Sequence, residues 1–349
     1  MIKINKMVDI NQLVRDNVKR LTPYSCARDD YKGSSGVFLD ANENPYGSLN
    51  RYPDPYQHRL KEAICRIKGV NEESVFLGNG SDEIIDLTYR IFCNPGIDKA
   101  MIFPPTYGMY EVSAYVNDVR VIKVPLNDDF QINIKEVEPY FKDESLKLLF
   151  ICSPNNPTGN CMDPDDIEFI IQNFKGIVLV DEAYMDFCNK YSFIEKIWRY
   201  PNLIVMRTFS KAFGLAAVRV GIAYSDPAVI RYFNKIKPPY NISAINQEAA
   251  FRRLSNGDTF INHVLEIKNE RERLRKELLK LDITEKVYPS DANFLLVKVK
   301  DANHIYTCLV NNGIIVRNRS SVIDNCLRIT VGTMKENDKL LDALKKIIL

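Results

Sequence analysis

Four apolar runs constrain this chain more than any other feature: Leu146–Cys152, Ile177–Val180, Leu203–Met206 and Val220–Tyr224. Runs this apolar read as strands buried on both faces, which is the signature of a parallel sheet covered by helices. Shorter runs at Ser74–Leu77, Met101–Phe103 and Val119–Val124 extend the set. Helical periodicity at His58–Lys68 and Ile84–Phe92 lies among them. The expected fold is α/β: a large domain whose mostly parallel, seven-stranded-type sheet is sandwiched by helices.

From about Ser243 the pattern changes. Ile245–Leu254 and the charged, amphipathic Phe260–Leu281 read as helices. Asn293–Val299, Ile314–Val316 and Leu327–Val331 read as short strands, and Thr333-Met334-Lys335-Glu336 is a capping-box pattern opening a last helix to Leu349. This mixture predicts a smaller α+β domain. The expected division is an N-terminal arm and small-domain segment over 1–45, a large domain over 46–242 and the small domain over 243–349. Within the arm, Asp9–Leu21 has helical spacing and Gly36–Leu39 reads as a short strand. Arg51-Tyr52-Pro53-Asp54-Pro55 is held extended by its prolines. Arms of this kind are surface loops or reach a partner subunit.

Composition removes several function classes. The 349 residues carry a formal net charge of +2 and no basic block, which argues against nucleic acid and membrane surfaces as partners. No apolar run is long enough to span a bilayer, and Met1–Lys6 lacks the apolar stretch of a secretory leader. The 8 cysteines include no C-x-x-C pair, and the three histidines have no metal-ligand spacing. A reducing cytoplasm and no metal centre are expected.

The residues that follow the apolar runs carry the chemistry. Ser74–Leu77 leads into Gly78-Asn79-Gly80-Ser81-Asp82 and a helix start, where free N–H groups and the helix dipole suit an anion. Ser81 as a simple helix cap fits equally well. Leu146–Cys152 leads into Ser153-Pro154-Asn155-Asn156-Pro157-Thr158-Gly159, and Ile177–Val180 into Asp181-Glu182-Ala183-Tyr184. Leu203–Met206 leads into Thr208-Phe209-Ser210-Lys211, with Arg219 beyond. Strand ends of an α/β sheet are where ligands bind. A lysine partly desolvated there has a lowered pKa and an amine free for Schiff-base chemistry. Thr208, Ser210 and Arg219 suit a phosphate. Taken alone, Lys211 is one of many solvated lysines; together, the set fits a phosphorylated pyridine aldehyde. Asp181 would then pair with the ring nitrogen, Asn156 and Tyr184 with the ring hydroxyl, and Tyr107 would stack on the ring face. The phosphate would rest on the N–H groups of Gly80, Ser81 and Asp82.

At these residues the chain resembles the aspartate-aminotransferase-like enzymes of fold type I, which use pyridoxal 5′-phosphate, and among them the histidinol-phosphate aminotransferases. The resemblance runs nearly end to end. Its further markers are Leu21-Thr22-Pro23-Tyr24, Leu39-Asp40-Ala41-Asn42-Glu43-Asn44-Pro45, Arg51-Tyr52-Pro53, Pro104-Pro105-Thr106-Tyr107-Gly108-Met109-Tyr110 and Cys326-Leu327-Arg328-Ile329-Thr330-Val331-Gly332. Ala217 departs from it, standing where many relatives have glycine.

The resemblance implies a ping-pong transfer of an amino group between L-glutamate and imidazole-acetol phosphate, giving L-histidinol phosphate and 2-oxoglutarate in histidine biosynthesis, with Lys211 catalytic. It implies Arg328 on the substrate carboxylate, and Tyr24, Asn44 and Arg317 as further substrate residues. A surface salt bridge is the competing expectation for Arg317. Tyr52 would reach the cofactor phosphate of the neighbouring subunit, so a homodimer is implied. The alternatives are an aromatic amino acid aminotransferase and, more distantly, a threonine-phosphate decarboxylase-like lyase; a non-catalytic cofactor-binding module is the third.

Overall fold

The computed structural model describes residues 8–26 and 36–347; Met1–Lys6 and the end of the last expected helix lie outside them. Seven strands build the large sheet: β1 Val75–Gly78, β2 Lys99–Ile102, β3 Arg120–Lys123, β4 Leu146–Cys152, β5 Ile177–Asp181, β6 Leu203–Thr208 and β7 Gly221–Ser225. Their order is β1-β7-β6-β5-β4-β2-β3. Strands β2 to β6 pair in parallel, whereas β7 is antiparallel to both β6 and β1.

The apolar runs are explained by burial on two faces. Leu149, Ile151, Val178, Val180, Leu203 and Val205 face one core, which helices His58–Lys68 and Pro164–Asn173 cover through Leu60, Ile64, Ile167 and Ile170. The alternate residues Leu148, Phe150, Ile177, Leu179, Ile204 and Met206 face a second core. Helices Ser81–Phe92 and Pro227–Ile236 close that side through Ile84, Ile85, Val229 and Phe233. A polar residue at any of these strand positions would be stranded without water, which is why the sequence admits so few.

A second sheet comprises β8 Thr284–Val287, β9 Phe294–Val299, β10 Arg317–Asn318 and β11 Cys326–Thr330, in the antiparallel order β10-β11-β9-β8. Helices Gly257–Leu278, Ala302–Asn311 and Met334–Leu344 pack on it through Leu274, Leu278, Ile305, Leu309, Leu340 and Leu341. The capping box at Thr333 and Glu336 is formed. A small cluster of Tyr184, Phe187, Ala212, Val264, Ala292 and Phe294 joins the two sheets' surroundings.

Four local expectations change. The Asp9–Leu21 helix is two, Ile10–Leu13 and Asp16–Arg20, because the Arg15 amide donates to the Ile91 carbonyl instead of continuing the helix. Among the described residues, Gly36–Leu39 joins neither sheet, and Val37 and Leu39 are exposed. Ile314–Val316 precedes its strand, since pairing begins at Arg317 opposite Arg328. Strand β8 was not expected: its central residues, Glu285 and Lys286, are exposed and give it no apolar pattern.

Candidate active site

The carboxyl ends of β1, β4, β5 and β6 share one edge of the sheet with the amino end of β7, because β7 runs the opposite way: Gly221 lies opposite both Gly78 and Thr208. A cavity of about 570 Å³ opens at that edge. Its lining includes Ser81, Asp82, Tyr107, Asn156, Asp181, Tyr184, Thr208, Ser210, Lys211 and Arg219. From the small sheet it includes Arg317 and Arg328, with Arg319 just beyond β10.

Asp181 is the last residue of β5 and is buried. Its Oδ2 accepts from the Tyr110 hydroxyl at 2.6 Å and its Oδ1 from the Ala183 amide at 3.0 Å. Burial raises its pKa to about 6, against the lowering effects of Tyr110, Ala183 and Lys211. Those contacts hold the carboxylate at the cavity wall without neutralising it. Lys211 projects into the cavity, with Nζ 5.6 Å from the centre of the Tyr184 ring. Burial lowers its pKa, and the Arg328 guanidinium lowers it further, with Asp181 opposing. An amine so placed more readily yields its proton. The Asn156 amide donates to the Tyr184 hydroxyl at 3.4 Å, and Arg328 donates to the Asn156 carbonyl oxygen.

At the opposite end, backbone groups form a cradle. Gly80 (φ +78°) precedes helix Ser81–Phe92, and no side chain caps that helix. Arg219 is held in the left-handed region at φ 53°. Its guanidinium reaches Asp82 at 3.4 Å and the Ser210 hydroxyl at 3.4 Å. The Thr208 hydroxyl accepts from the Ser210 amide at 3.1 Å. Tyr107 donates to the Asp82 carboxylate at 3.1 Å. A Cβ on Gly221 would stand 2.5 Å from the Ser81 nitrogen and from the Gly80 carbonyl carbon. Gly221→Ala is therefore expected to displace the cradle, costing about 1–3 kcal/mol of overpacking and weakening cofactor retention roughly tenfold. Dialysis with absorbance monitoring of retained cofactor measures it; unchanged retention would show the cradle unaffected.

The uncapped helix start, the glycine-lined floor, Arg219 and the two hydroxyls fit a phosphate. The buried carboxylate and the lysine, beyond them in the same cavity, fit a pyridine ring and its aldehyde. The residues present thus match pyridoxal 5′-phosphate.

Three expected residues lie apart from this cavity within the single chain. Asn44 and Tyr52 line a separate hollow with Ser243 and Ile245, where Tyr52 stacks on Tyr240 at 4.4 Å. Tyr24 is exposed beside Tyr56 and Lys237. Two contributors were missed from sequence. Tyr110 reads as core in the helix Met109–Val116, yet a carboxylate ending a buried strand requires a donor. Arg319 sits in the polar stretch after β10, where nothing distinguishes it from a surface arginine; its Nε is buried without a partner, as is that of Arg328. Burial lowers the pKa of Arg319, and Arg328 and Arg317 lower it further. None of the ion pairs among the described residues involves Arg317, Arg319 or Arg328. Among the described residues, the surface salt bridge considered for Arg317 is absent.

The family model for aminotransferases of class I and II matches residues 32–344, and the chain belongs to that family. Within it, similar curated proteins include histidinol-phosphate aminotransferases. That of Cytophaga hutchinsonii is 50% identical over 343 residues, covering 96% of this chain and 98% of the relative. That of Parabacteroides distasonis is 50% identical over 344 residues, covering 98% and 99%. The crystal structure of histidinol-phosphate aminotransferase from Sinorhizobium meliloti, in complex with pyridoxal 5′-phosphate, superposes with a TM-score of 0.78 at 26% identity, covering 88% of this chain and 89% of the other.

Proposed function

We propose that the chain transfers an amino group between L-glutamate and imidazole-acetol phosphate, giving L-histidinol phosphate and 2-oxoglutarate, with pyridoxal 5′-phosphate as cofactor. The observation that carries the substrate assignment is the group of three arginines, none in an ion pair among the described residues, on the same cavity as Lys211 and Asp181. A small anionic substrate supplies the missing counter-charge. The full-length similarity to histidinol-phosphate aminotransferases supports the same assignment over the aromatic enzyme and the lyase.

Bound in the cavity, the cofactor supplies an electron-withdrawing ring and an aldehyde carbon that exchanges amines. Asp181 keeps the ring nitrogen protonated, and Asn156 and Tyr184 hold the ring hydroxyl. Tyr107 flanks the ring. Gly80, Ser81 and Asp82 bind the cofactor phosphate through their amides, with Thr208, Ser210 and Arg219 around it. With the cofactor bound, the Lys211 amine would take a proton from the substrate α-carbon and return one in the reverse half. Arg328 takes the α-carboxylate of glutamate as a bidentate pair. Histidinol phosphate lacks that carboxylate, and Arg317 and Arg319 suit its phosphate.

The chain acts in the cytoplasm as a homodimer in this proposal. Tyr52 reaches the neighbouring subunit's cofactor phosphate, and Tyr24 and Asn44 complete the substrate site between subunits. Their distance from the cavity of their own chain is consistent with that role. The large domain spans 46–242, and 243–349 with the 1–45 arm forms the smaller part.

Initial rates over a grid of histidinol phosphate and 2-oxoglutarate concentrations test the activity. Parallel double-reciprocal lines are expected; absence of glutamate formation refutes the substrate assignment. Arg319→Gln is expected to raise KM for histidinol phosphate about tenfold, the scale of one charge-assisted contact, with kcat little changed. L-histidinol, lacking the phosphate, should show no such rise. Equal effects on both compounds would remove Arg319 from the phosphate.

A further inference from the structure

Cys161 and Cys188 are 27 residues apart in sequence, yet their Sγ atoms lie 3.1 Å apart. Cys161 closes the loop after β4 that carries Asn156, and it is buried. Cys188 follows the 3₁₀ turn Met185–Phe187, four residues beyond Tyr184, and is half-buried. The Lys190 amide donates to Cys188 Sγ at 3.3 Å. The Asp291 carboxylate accepts from the Cys161 amide at 3.2 Å, and the Asp291 amide donates to the Gly159 carbonyl at 2.7 Å. These contacts fix the backbone on the Cys161 side, so the two sulfurs meet by construction of the fold.

We propose that Cys161 and Cys188 form an oxidation site, at which a peroxide-class oxidant joins the two thiols in an intrachain disulfide, Cys188 reacting first and Cys161 resolving it. Neither residue takes part in amino transfer. The Cys188 thiolate attacks one peroxide oxygen, the O–O bond breaks, and the departing oxygen leaves as water after taking up a proton. The sulfenic acid formed is then attacked by the Cys161 sulfur; the S–O bond breaks, the S–S bond forms and a second water leaves. Two thiols are together oxidised by two electrons, and one hydrogen peroxide is reduced to two waters (an alkyl peroxide to its alcohol and one water), so no further reactant is needed.

Three observations select this chemistry and order. Cys188 has the solvent access that Cys161 lacks, as the first-reacting thiol requires. The contact with Cys161 lowers the Cys188 pKa to about 7, with the Lys190 amide adding to the effect, and the same contact pushes Cys161 upward. Burial instead pushes Cys65, Cys93, Cys152 and Cys326 upward, away from thiolate character. Asp291 lies close enough to make a three-ligand cation site conceivable. Two thiolates about a tetrahedral zinc stand roughly 3.7 Å apart, given a Zn–S distance of about 2.3 Å, so the 3.1 Å separation favours bond formation between the sulfurs. The disulfide would fasten the Asn156 loop to the segment bearing Asp181 and Tyr184.

The test is peroxide treatment of the intact holoenzyme at stoichiometric dose, followed by alkylation of remaining thiols and peptide mapping. The expected product is a single cross-linked peptide pair containing Cys161 and Cys188, lighter by two hydrogen atoms and restored by dithiothreitol. Cys161→Ser should stop the reaction at a Cys188 sulfenic acid that dimedone traps, and Cys188→Ser should leave Cys161 unmodified at the same dose. The proposal is overturned if both thiols stay free while other cysteines oxidise. It is equally overturned if wild-type Cys188 accumulates as a sulfenic acid without cross-linking.

Discussion

Lys211→Ala is expected to lower kcat by roughly a thousandfold or more, while the protein stays folded. The magnitude follows from losing the group that moves the proton, typically worth about 10²–10⁴-fold, together with the loss of pre-positioned amine exchange. The protein should tolerate the change because the side chain projects into the cavity and is no part of the hydrophobic cores. Its lowered pKa also means that a cation pressed against Arg328 and Arg219 is removed. The variant should retain its circular dichroism spectrum and bind cofactor without the visible band of lysine-bound pyridoxal. Turnover near the wild-type rate would contradict the assignment of Lys211.

Asp181→Asn carries the second large effect. The amide matches the carboxylate in shape but cannot hold a protonated ring nitrogen. A fall in kcat of roughly a hundred- to thousandfold is expected, the scale of removing one partner from a buried charge pair. The substitution has a separate signature in cofactor-free protein. Burial lifts the Asp181 pKa to about 6, above its unfolded value of about 3.9. A raised folded-state pKa contributes stability that is complete below the unfolded value and is lost as pH rises through the folded one. Cofactor-free wild type should therefore lose about 2 kcal/mol more than Asp181→Asn between about pH 4 and pH 7. Urea midpoints across that range measure it, and parallel pH profiles for the two proteins would rule out the raised pKa.

Legibility in the sequence followed burial. Asp181, Asn156 and Lys211 were recognisable because each ends or follows an apolar run, and a polar residue there must be explained. The sheet was legible for the same reason, down to β4, whose limits match its apolar run. Residues whose meaning depends on tertiary neighbours were not. Tyr110 is one more aromatic on a helix until Asp181 is placed beside it. Arg319 gains its significance only when β10 and β11 pair and bring it near Arg328. Cys161 and Cys188 have no motif spacing, and only the folding of the β4 and β5 loops brings their sulfurs together. The Gly36–Leu39 run had strand composition, but strand composition forms a strand only beside an edge.

The central claim is that the one cavity holding Lys211 and Asp181 takes nitrogen from both substrates. An absorbance titration of the purified holoenzyme tests it most directly, with L-glutamate added to one sample and L-histidinol phosphate to another. Both should convert the visible band of lysine-bound pyridoxal to the near-ultraviolet band of the aminated cofactor. Conversion by glutamate alone would contradict the substrate assignment, and absence of any visible band would contradict the cofactor.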